Sequence, residues 1–391
     1  MKLSSILRGK RCKFQPSTMD PELELRFDNG ILVCTCSKHV DDLKFGGREH
    51  IIKNEIIPAL EAVFGKLKYH EAKFTTVGIR HTHLDNGDVV QDQDEYIQAL
   101  KTITHPSMVG KAGDVAAEPE VVELFWSLLG AAAYMLITQY WACVYVVSLQ
   151  RQRTAPKLIH IRRLNAIVKV AQRRPAKLIY QSMIADNTLE CHSDSGFTKE
   201  QESGYGIRGA NFLRSGKSRA TGQKVYHLVE TSCKGHKHVT RDSFSSETRA
   251  AVIAADELMT IALTLHELTF GVLSRREAME MMDNGACRIH TVLTVDSMSL
   301  WSAIAAAVVK VPTEKNMAVH LFWLRELLTT GAIKILRWCD TRDMTADCHT
   351  KGSIDRSAIL ELMRGNFEFE HEVKDYEVKA VSYTHLRAHE T

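Results

Sequence analysis

Four acidic residues, each at the beginning or end of a predicted regular element, have the types and placement that chemistry requires. Asp194 lies near the end of a predicted strand, LECHSDSGFT (Leu189–Thr198), and Glu247 opens a predicted helix, SSETRAAVIAADELMTIAL. Asp296 closes an apolar strand, IHTVLTVDS, and Asp347 lies in TADCHTKG, just after the strand AIKILRW. Because sites in α/β sheets are built by loops at strand ends, we expect these carboxylates to converge.

Convergence of four carboxylates has an electrostatic consequence. Neighbouring carboxylates resist joint ionisation unless cations lie between them, and carboxylate oxygens are the ligands of hard divalent cations. The four acids therefore predict a divalent metal site. An acid at a strand end is also commonly a helix cap or a solvated edge, and from the residues alone this alternative stays open for each of them.

The elements around these acids predict an α/β layer domain. Residues 185–352 alternate strand and helix patterns: three strands joined by glycine-rich turns, a long amphipathic helix, then strand, helix, helix and strand. We expect the strand at 189–198 to lie at the centre of a mixed five-stranded sheet. Upstream, residues 14–47 read as strands with a turn at FDNG, and a helix over Arg48–Leu67 is expected to kink at Pro58.

The composition is that of a globular protein with two or three domains. The chain has 391 residues, of which 45% are hydrophobic and 25% charged, and its formal net charge is +3. Nine cysteines without a disulfide-like pattern favour a reducing compartment. Cys233, His236 and His238 resemble half of a zinc site, but no second half lies nearby in sequence, so we interpret them as loop residues.

Positive charge is concentrated in one stretch. No acidic residue occurs between Glu123 and Asp186, whereas nine cationic residues do: Arg151, Arg153, Lys157, Arg162, Arg163, Lys169, Arg173, Arg174 and Lys177. A field of one sign suits a polyanion, so this stretch favours nucleic acid as a partner. A solvated helix face is the alternative.

A charge-free run, Phe125–Leu149, requires a transmembrane helix to be considered. Its polar residues, including Thr138 and Gln139, and the lack of a second hydrophobic span favour two packed helices with a short break near Gln139. We therefore expect this run to bury its apolar face against protein, with no membrane partner.

Sequence blocks around the four acids resemble one known family. CHSDSGF, FSSETRAAVIAADE, HTVLTVDSMSLWSAI and WCDTRDMTADCHTKG are similar, in this order, to the blocks of the ribonuclease H domain of copia-type (Ty1/copia-like) retrotransposon polyproteins. Upstream, CTCSKHVDDLKFGG looks like the reverse-transcriptase hairpin that carries the paired polymerase aspartates, here Asp41 and Asp42. The resemblance covers roughly Phe14–Leu362.

The resemblance implies a domain order. Residues 1–66 would be a reverse-transcriptase palm remnant, 67–184 the thumb and connection region, 185–362 the ribonuclease H domain and 363–391 a tail. The implied fold is α/β, a ribonuclease H-like mixed five-stranded sheet with flanking helices, preceded by a truncated α+β palm, thumb and connection region. Residues 381–391, VSYTHLRAHET, resemble translated sequencing-adapter DNA, and we assign them no function.

The resemblance also implies an activity, the hydrolysis of the RNA strand of an RNA–DNA hybrid with two Mg²⁺ (or Mn²⁺) ions. Asp194 would contact both ions, Glu247 and Asp296 would complete one site, and Asp347 would hold the other ion. Phosphates would be contacted by four basic residues: Arg162, Arg163, Lys234 and Lys237. The implied location is the cytoplasm, in a virus-like particle, or the nucleus.

Two departures from the family pattern limit what is expected upstream. His39 stands where the family has an aromatic residue, and the further polymerase aspartate of an upstream strand has no counterpart here. Polymerase activity is therefore not expected, and Asp41 and Asp42 should lie apart from the other four acids. The competing hypothesis for the whole chain is a degenerate fragment that binds nucleic acid without cutting it.

Overall fold

Three β-sheets and the helices packed against them make up the part of the chain that the structure describes, which confirms the predicted mixed α/β character. The computed structural model describes residues 2–40, 42–196, 206–309, 312 and 314–378. Some predictions fall on residues outside these ranges, namely Asp41, Phe197, Thr198 and residues 381–391.

The first sheet is antiparallel and has four strands: β1 (Gln15–Pro16), β2 (Leu23–Asp28), β3 (Ile31–His39) and β4 (Asp42–Gly47). The predicted turn after β2 is confirmed. Asn29 and Gly30 both have positive φ, 52° and 76°, and this pair of left-handed residues matches the right-handed twist of the strands in a two-residue hairpin.

A helical segment covers this sheet: α1 (Lys2–Leu7) precedes it, and α2 (Glu49–Ile51), a π-helical turn (Ile52–Ile56) and α3 (Ile57–Phe64) follow it. Just before Pro58, where a kink is expected, the helix contains this π-helical turn. Proline has no N–H to bond to the carbonyl of Asn54, and that oxygen instead accepts from the side chain of Arg11 at 3.4 Å.

The second sheet joins two distant parts of the chain: β5 (Lys73–Thr76), β6 (Ile79–His83), β7 (Val89–Asp92) and β8 (Leu178–Tyr180). Between β7 and β8 the chain forms four helices: α4 (Asp94–Ala99), α5 (Pro119–Met135), α6 (Cys143–Gln150) and α7 (Leu158–Arg173). This helical unit contains the charge-free run and the basic stretch.

The expected break in the charge-free run is confirmed. Between α5 and α6 lies a 3₁₀ turn, Tyr140–Ala142, and Gln139 is buried beside it. The Gln139 amide donates to the carbonyl of Ala176 at 2.9 Å and accepts from its N–H at 3.0 Å, so the interruption is held by a specific partner. The apolar side chains pack in one core with α7, and none of the helices in the described ranges has the length and apolar character needed to cross a membrane.

The third sheet carries the predicted site. Its strands are β9 (Met183–Gly196), β10 (Ile207–Ser218), β11 (Lys224–Gly235), β12 (His290–Val295), β13 (Ile335–Cys339) and β14 (Val373–Tyr376), in the spatial order β11-β10-β9-β12-β13-β14. The first three strands pair antiparallel, β12 runs parallel to β9 and β13, and β14 is antiparallel.

Residues 185–352 supply five strands of the sheet, β9 to β13, as expected, but the sheet has a sixth that was not expected. The sixth strand, β14, comes from the segment interpreted as a tail, and it pairs along the open edge of β13. Arg337 and Asp375 fix this pairing through a two-pronged ion pair with distances of 2.7 and 2.9 Å. The 189–198 stretch lies within β9, an inner strand, as predicted for its described residues.

Helices cover the third sheet: α8 (Ser243–Phe270), α9 (Arg275–Asn284), α10 (Met298–Ala305), α11 (Met317–Thr330) and α12 (Ser357–Met363). Buried alanines of α8, among them Ala251, Ala254 and Ala255, bring the helix close to β9. Side chains of β9 alternate between the two faces: Leu189 and Cys191 belong to the core beneath α8, whereas even-numbered residues point to the opposite face.

A buried carboxylate attaches the first sheet to the third. Glu267 of α8 is fully buried and accepts from the hydroxyl of Ser17 at 2.5 Å and from the N–H groups of Thr18 and Leu273 at 3.0 Å each. Because these donors satisfy the charge, its burial is tolerated, and the N-terminal hairpin is held against the end of α8.

Candidate metal centre

Asp194 occupies the C-terminal end of β9, between β10 and β12, and it is fully buried. Its Oδ2 accepts a short hydrogen bond from the hydroxyl of Thr350, and its Oδ1 lies 3.4 Å from the ammonium of Lys351. A buried carboxylate needs such partners because burial without them is costly. Asp194 is therefore the central acid of the site.

Glu247 and Asp296 reach Asp194 from two other elements. Glu247 lies one turn inside α8, whose first turn is capped by Asp242 accepting from the N–H of Ser245 at 2.7 Å. Asp296 directly follows β12, and its backbone carbonyl accepts from the indole of Trp338 at 2.7 Å. One carboxylate oxygen of each of Asp194, Glu247 and Asp296 lies within 4.8 Å of the other two, so these three side chains could hold a metal ion.

Asp347 joins the site through a lysine. It lies in the 3₁₀ turn Thr345–His349 and is buried. The Nζ of Lys351 lies 2.7 Å from Asp347 Oδ1, 3.4 Å from Asp194 Oδ1 and 3.8 Å from Asp296 Oδ2. The structure thus brings all four predicted acids to one place, three directly and Asp347 through a shared ammonium group.

Burial and mutual repulsion raise the pKa of three of the acids. The pKa of Glu247 is well above its ordinary value, that of Asp296 rises to about 6, and that of Asp347 to about 8. In each case burial is the main cause and the charge of Asp194 the next. Burial by itself lowers the pKa of Lys351, but the surrounding carboxylates outweigh it and the pKa is raised. Without further cations the cluster therefore retains protons near neutral pH.

A second buried carboxylate on the same strand provides a contrast. Glu190 accepts from the Thr294 hydroxyl at 2.6 Å and pairs with Arg337 at 3.0 Å. Burial by itself raises its pKa, but the hydrogen bond and charge of His192, together with Arg337 and Thr294, lower it to about 2. Glu190 is thus fully compensated by protein groups, whereas Glu247 has no hydrogen-bond donor among the described residues.

Two glycines allow the Asp347 segment to approach the sheet. A Cβ atom at Gly196 would lie 2.7 Å from the carbonyl oxygen of Thr350, and a Cβ at Gly209 would lie 2.5 Å from the Cβ of His349. Real Cβ atoms do not come so close, so only glycine fits at both places. The role of Gly209 was not predicted from the sequence, although a glycine inside the strand pattern IRGANFL indicates a close backbone approach.

Hydroxyl groups connect the strand and the helix that carry Asp194 and Glu247. The Ser195 and Ser246 hydroxyls lie 2.5 Å apart, and Ser195 also bonds His236 at 2.8 Å. The interpretation of His236 as a loop residue missed this contact. His236 is buried, and burial together with nearby arginines lowers its pKa to about 4, so it remains neutral. Cys233, His236 and His238 do not assemble into a metal-binding group among the described residues.

The predicted phosphate-contacting residues lie in two places. Lys234 and Lys237 are exposed. In the register of the strands, Lys234 of β11 lies opposite Arg208 of β10, and the next residue of β10, Gly209, lies opposite Asp194 of β9. The two lysines therefore lie at the Asp194 end of the sheet. Arg162 and Arg163 are exposed on α7, in the helical unit, where the Arg162 guanidinium donates to the carbonyl of Lys111 at 2.6 Å.

Of the predicted polymerase pair, Asp42 lies within the described residues. Asp41 lies outside the described residues. Asp42 begins β4, is exposed, and lies 3.5 Å from the hydroxyl of Thr76. In the described ranges Asp42 belongs to no group of three metal-ligating side chains.

Comparison with known proteins finds a distant structural likeness and no match to a family model or a curated protein. No family model matches this chain, and no curated protein matches it either. Among solved structures, the chain is similar to the foamy viral protease-reverse transcriptase in complex with dsDNA, with a TM-score of 0.34 and 15% sequence identity. The alignment covers 74% of this chain and 52% of that one, so the chain spans about half the length of the viral protein. A likeness of this size carries no weight for function.

Proposed function

We propose that this chain is a divalent-metal-dependent nuclease that hydrolyses the RNA strand of RNA–DNA hybrids and derives from a copia-type retroelement. One observation carries the proposal. Asp194, Glu247 and Asp296, from three separate elements, offer oxygens within 4.8 Å of one another. Folding alone gives no reason to gather several acids around one ammonium, and perturbed acids gathered in this way are typical of functional sites.

The donor set fits Mg²⁺ or Mn²⁺. It consists of carboxylate oxygens, the ligands that these hard cations prefer, and no cysteine or histidine of the described ranges takes part. Burial and the charge of Asp194 raise the pKa values of Glu247, Asp296 and Asp347, and a cation at the site would favour their ionised forms. Divalent cations bound there would supply an activated water and stabilise charge on the leaving 3′ oxygen.

Each of the four acids would have its own role in metal binding. Asp194 lies between the other acids and would contact both cation positions. Glu247 and Asp296 would complete the first position with it, and Asp347 would hold the second ion. The Ser195–Ser246 hydrogen bond holds β9 against α8, so it orients Asp194 and Glu247 relative to each other.

Substrate binding would rest on the basic residues. Lys234 and Lys237 are exposed at the Asp194 end of the sheet, where they could contact phosphates flanking the cleaved bond, and Arg162 and Arg163 add charge on α7. Such contacts position a nucleic acid without reading its sequence. Choice of a hybrid would then come from helix shape and the 2′-hydroxyl groups of the RNA strand.

One observation favours a second candidate function, binding without cleavage. The ammonium of Lys351 lies within 4 Å of Asp194, Asp296 and Asp347, so part of the negative charge is balanced without metal. A chain that never exchanges this ammonium for metal would bind nucleic acid through its basic residues and leave it intact.

Cleavage of a labelled RNA–DNA hybrid by the purified chain with Mg²⁺ tests the proposal. The wild-type chain should cut the RNA strand, and Asp194→Asn should abolish cutting while hybrid affinity changes little. Asp283→Asn, at an exposed position of α9, is the matched control and should cut normally. Cleavage by Asp194→Asn at the parental rate would contradict the assignment, and intact hybrid bound by the wild-type chain would favour the second candidate.

A further inference from the structure

The position of the Lys351 ammonium has a consequence for metal binding, which rests on the proposed function of the same site. The ammonium lies 2.7 Å from Asp347 Oδ1 and 3.4 Å from Asp194 Oδ1. These are the two acids expected to hold one of the two ions. A cation supplied by the chain is therefore already present between them.

The backbone of Lys351 is held in place from several directions. Its N–H donates to the carbonyl of Asp347 at 2.9 Å, and its carbonyl accepts from the Arg356 guanidinium at 3.0 Å. The next carbonyl, that of Gly352, accepts from the Tyr145 hydroxyl at 2.6 Å. These hydrogen bonds fix the main chain at Lys351, four residues after Asp347. The fixed main chain directs the Lys351 side chain toward Asp347 and Asp194.

Two positions beside Asp194 could hold a cation, one toward Asp347 and one toward Glu247 and Asp296, and they differ in their occupancy by Lys351. Oδ2 of Asp194 is engaged by Thr350 and Oδ1 by Lys351. An ion between Asp194 and Asp347 would need the volume that the ammonium fills. On the other side, Glu247 has no donor among the described residues, and its oxygen lies close to those of Asp194 and Asp296.

We propose that Lys351 is a positioning residue whose ammonium occupies the second cation position. In the absence of nucleic acid the chain binds one divalent ion, at Asp194, Glu247 and Asp296, and the position between Asp194 and Asp347 opens only when Lys351 is displaced. The lysine thus balances part of the negative charge of the folded site and makes entry of the second ion a separate step.

Counting bound Mn²⁺ by calorimetry and by electron paramagnetic resonance on the full chain tests this proposal. The wild-type chain should bind one ion per chain and give the spectrum of an isolated ion. Lys351→Met should bind two ions and give the spectrum of a coupled pair. Lys351→Gln, which keeps a donor for Asp347 but removes the charge, should also bind two. Lys217→Met, at an exposed position near the opposite end of β10, should bind one ion like the parent.

The outcomes separate the two proposals. If the wild-type chain binds two Mn²⁺ ions and cleaves hybrid, the proposed role of Lys351 is wrong and the proposed nuclease function is not contradicted. One ion in both Lys351 variants would overturn that role as well. The wild-type spectrum is decisive even if neither variant folds, because a coupled pair there excludes an ammonium in the second position. Absence of bound Mn²⁺ from every chain would contradict the metal centre itself.

Discussion

The hydroxyl groups of Ser195 and Ser246 lie 2.5 Å apart, and each serine is adjacent in sequence to an acid of the site, Asp194 or Glu247. Both serines are buried. The hydrogen bond therefore joins the end of β9 to the first turn of α8 at the point where the two carboxylates must meet.

Replacing Ser246 by alanine should weaken metal binding. The change removes one hydrogen bond of the buried Ser195 hydroxyl, which keeps His236 as a partner, and such a loss costs about 0.5–1.5 kcal/mol. We expect Mn²⁺ affinity measured by calorimetry to fall, with the secondary structure retained. Ser299→Ala, at an exposed position after β12, is the control and should change the free energy of unfolding by less than about 0.5 kcal/mol. Unchanged Mn²⁺ affinity in Ser246→Ala would show that the hydrogen bond does not position the acids.

Replacing Gly209 by alanine should displace the Asp347 segment. The new Cβ would lie 2.5 Å from the Cβ of His349 and 3.0 Å from the carbonyl oxygen of Ala346, and overpacking of this kind costs about 1–3 kcal/mol. Urea unfolding should show the loss of stability, and hybrid cleavage should fall with it.

Gly130→Ala is the matched control for that substitution. Gly130 lies inside α5 with nothing near its Cβ position, so alanine should stabilise the chain by about 0.5–1 kcal/mol. A Gly209→Ala chain as stable and active as the parent would show that the segment is not held against this strand.

Above the ordinary histidine pKa of about 6.5, where buried histidines such as His236 are neutral in both states, metal-free chain should become less stable as the pH rises to about 8, the pKa of Asp347 in the folded chain. In this window the unfolded chain has ionised while the folded site retains protons. The folded state then binds more protons, and the free energy of unfolding falls with pH. Urea unfolding in a chelator at several pH values measures the trend, which Asp347→Asn should flatten. Stability that rises across this window in metal-free chain would contradict the raised pKa values.

Mg²⁺ should raise the melting temperature of the wild-type chain. An ion that binds only the folded state stabilises it by about 2.7 kcal/mol at a hundred times its dissociation constant, and it also releases the retained protons. Asp296→Asn should remove most of this shift, whereas Asp283→Asn should keep it. Scanning calorimetry with Mg²⁺ and with chelator gives the answer, and an equal shift in Asp296→Asn would exclude that residue as a ligand.

Replacing Lys234 and Lys237 by alanine should lower the affinity for hybrid and make that affinity less dependent on salt concentration. Removing one lysine that neutralises a phosphate should lower the slope of log affinity against log salt by about 1. Filter binding of hybrid over a range of NaCl concentrations measures the slope, and Lys217→Ala is the control. A slope unchanged from that of the parent would show that these lysines do not contact phosphates.

The sequence by itself determined the local elements and the identity of the acids. The pattern of β9, the amphipathic pattern of α8 and the apolar run of β12 depend on residues near in sequence, so their periodicity could be recognised. The same holds for the left-handed turn at Asn29 and Gly30 and for the break at Gln139. Asp194, Glu247 and Asp296 could be named because each lies at an element end.

Only the tertiary structure decided which groups lie around those acids. Strand β14 depends on the open edge of β13, and the hydrogen bond of His236 with Ser195 depends on the pairing of β10 with its neighbours. Neither leaves a periodic pattern in the sequence. Lys351 follows Asp347 by four residues, but its approach to Asp194 requires the glycines that let the segment reach the sheet. Contacts between distant segments arise from packing, and packing follows from the whole chain rather than from any window of it.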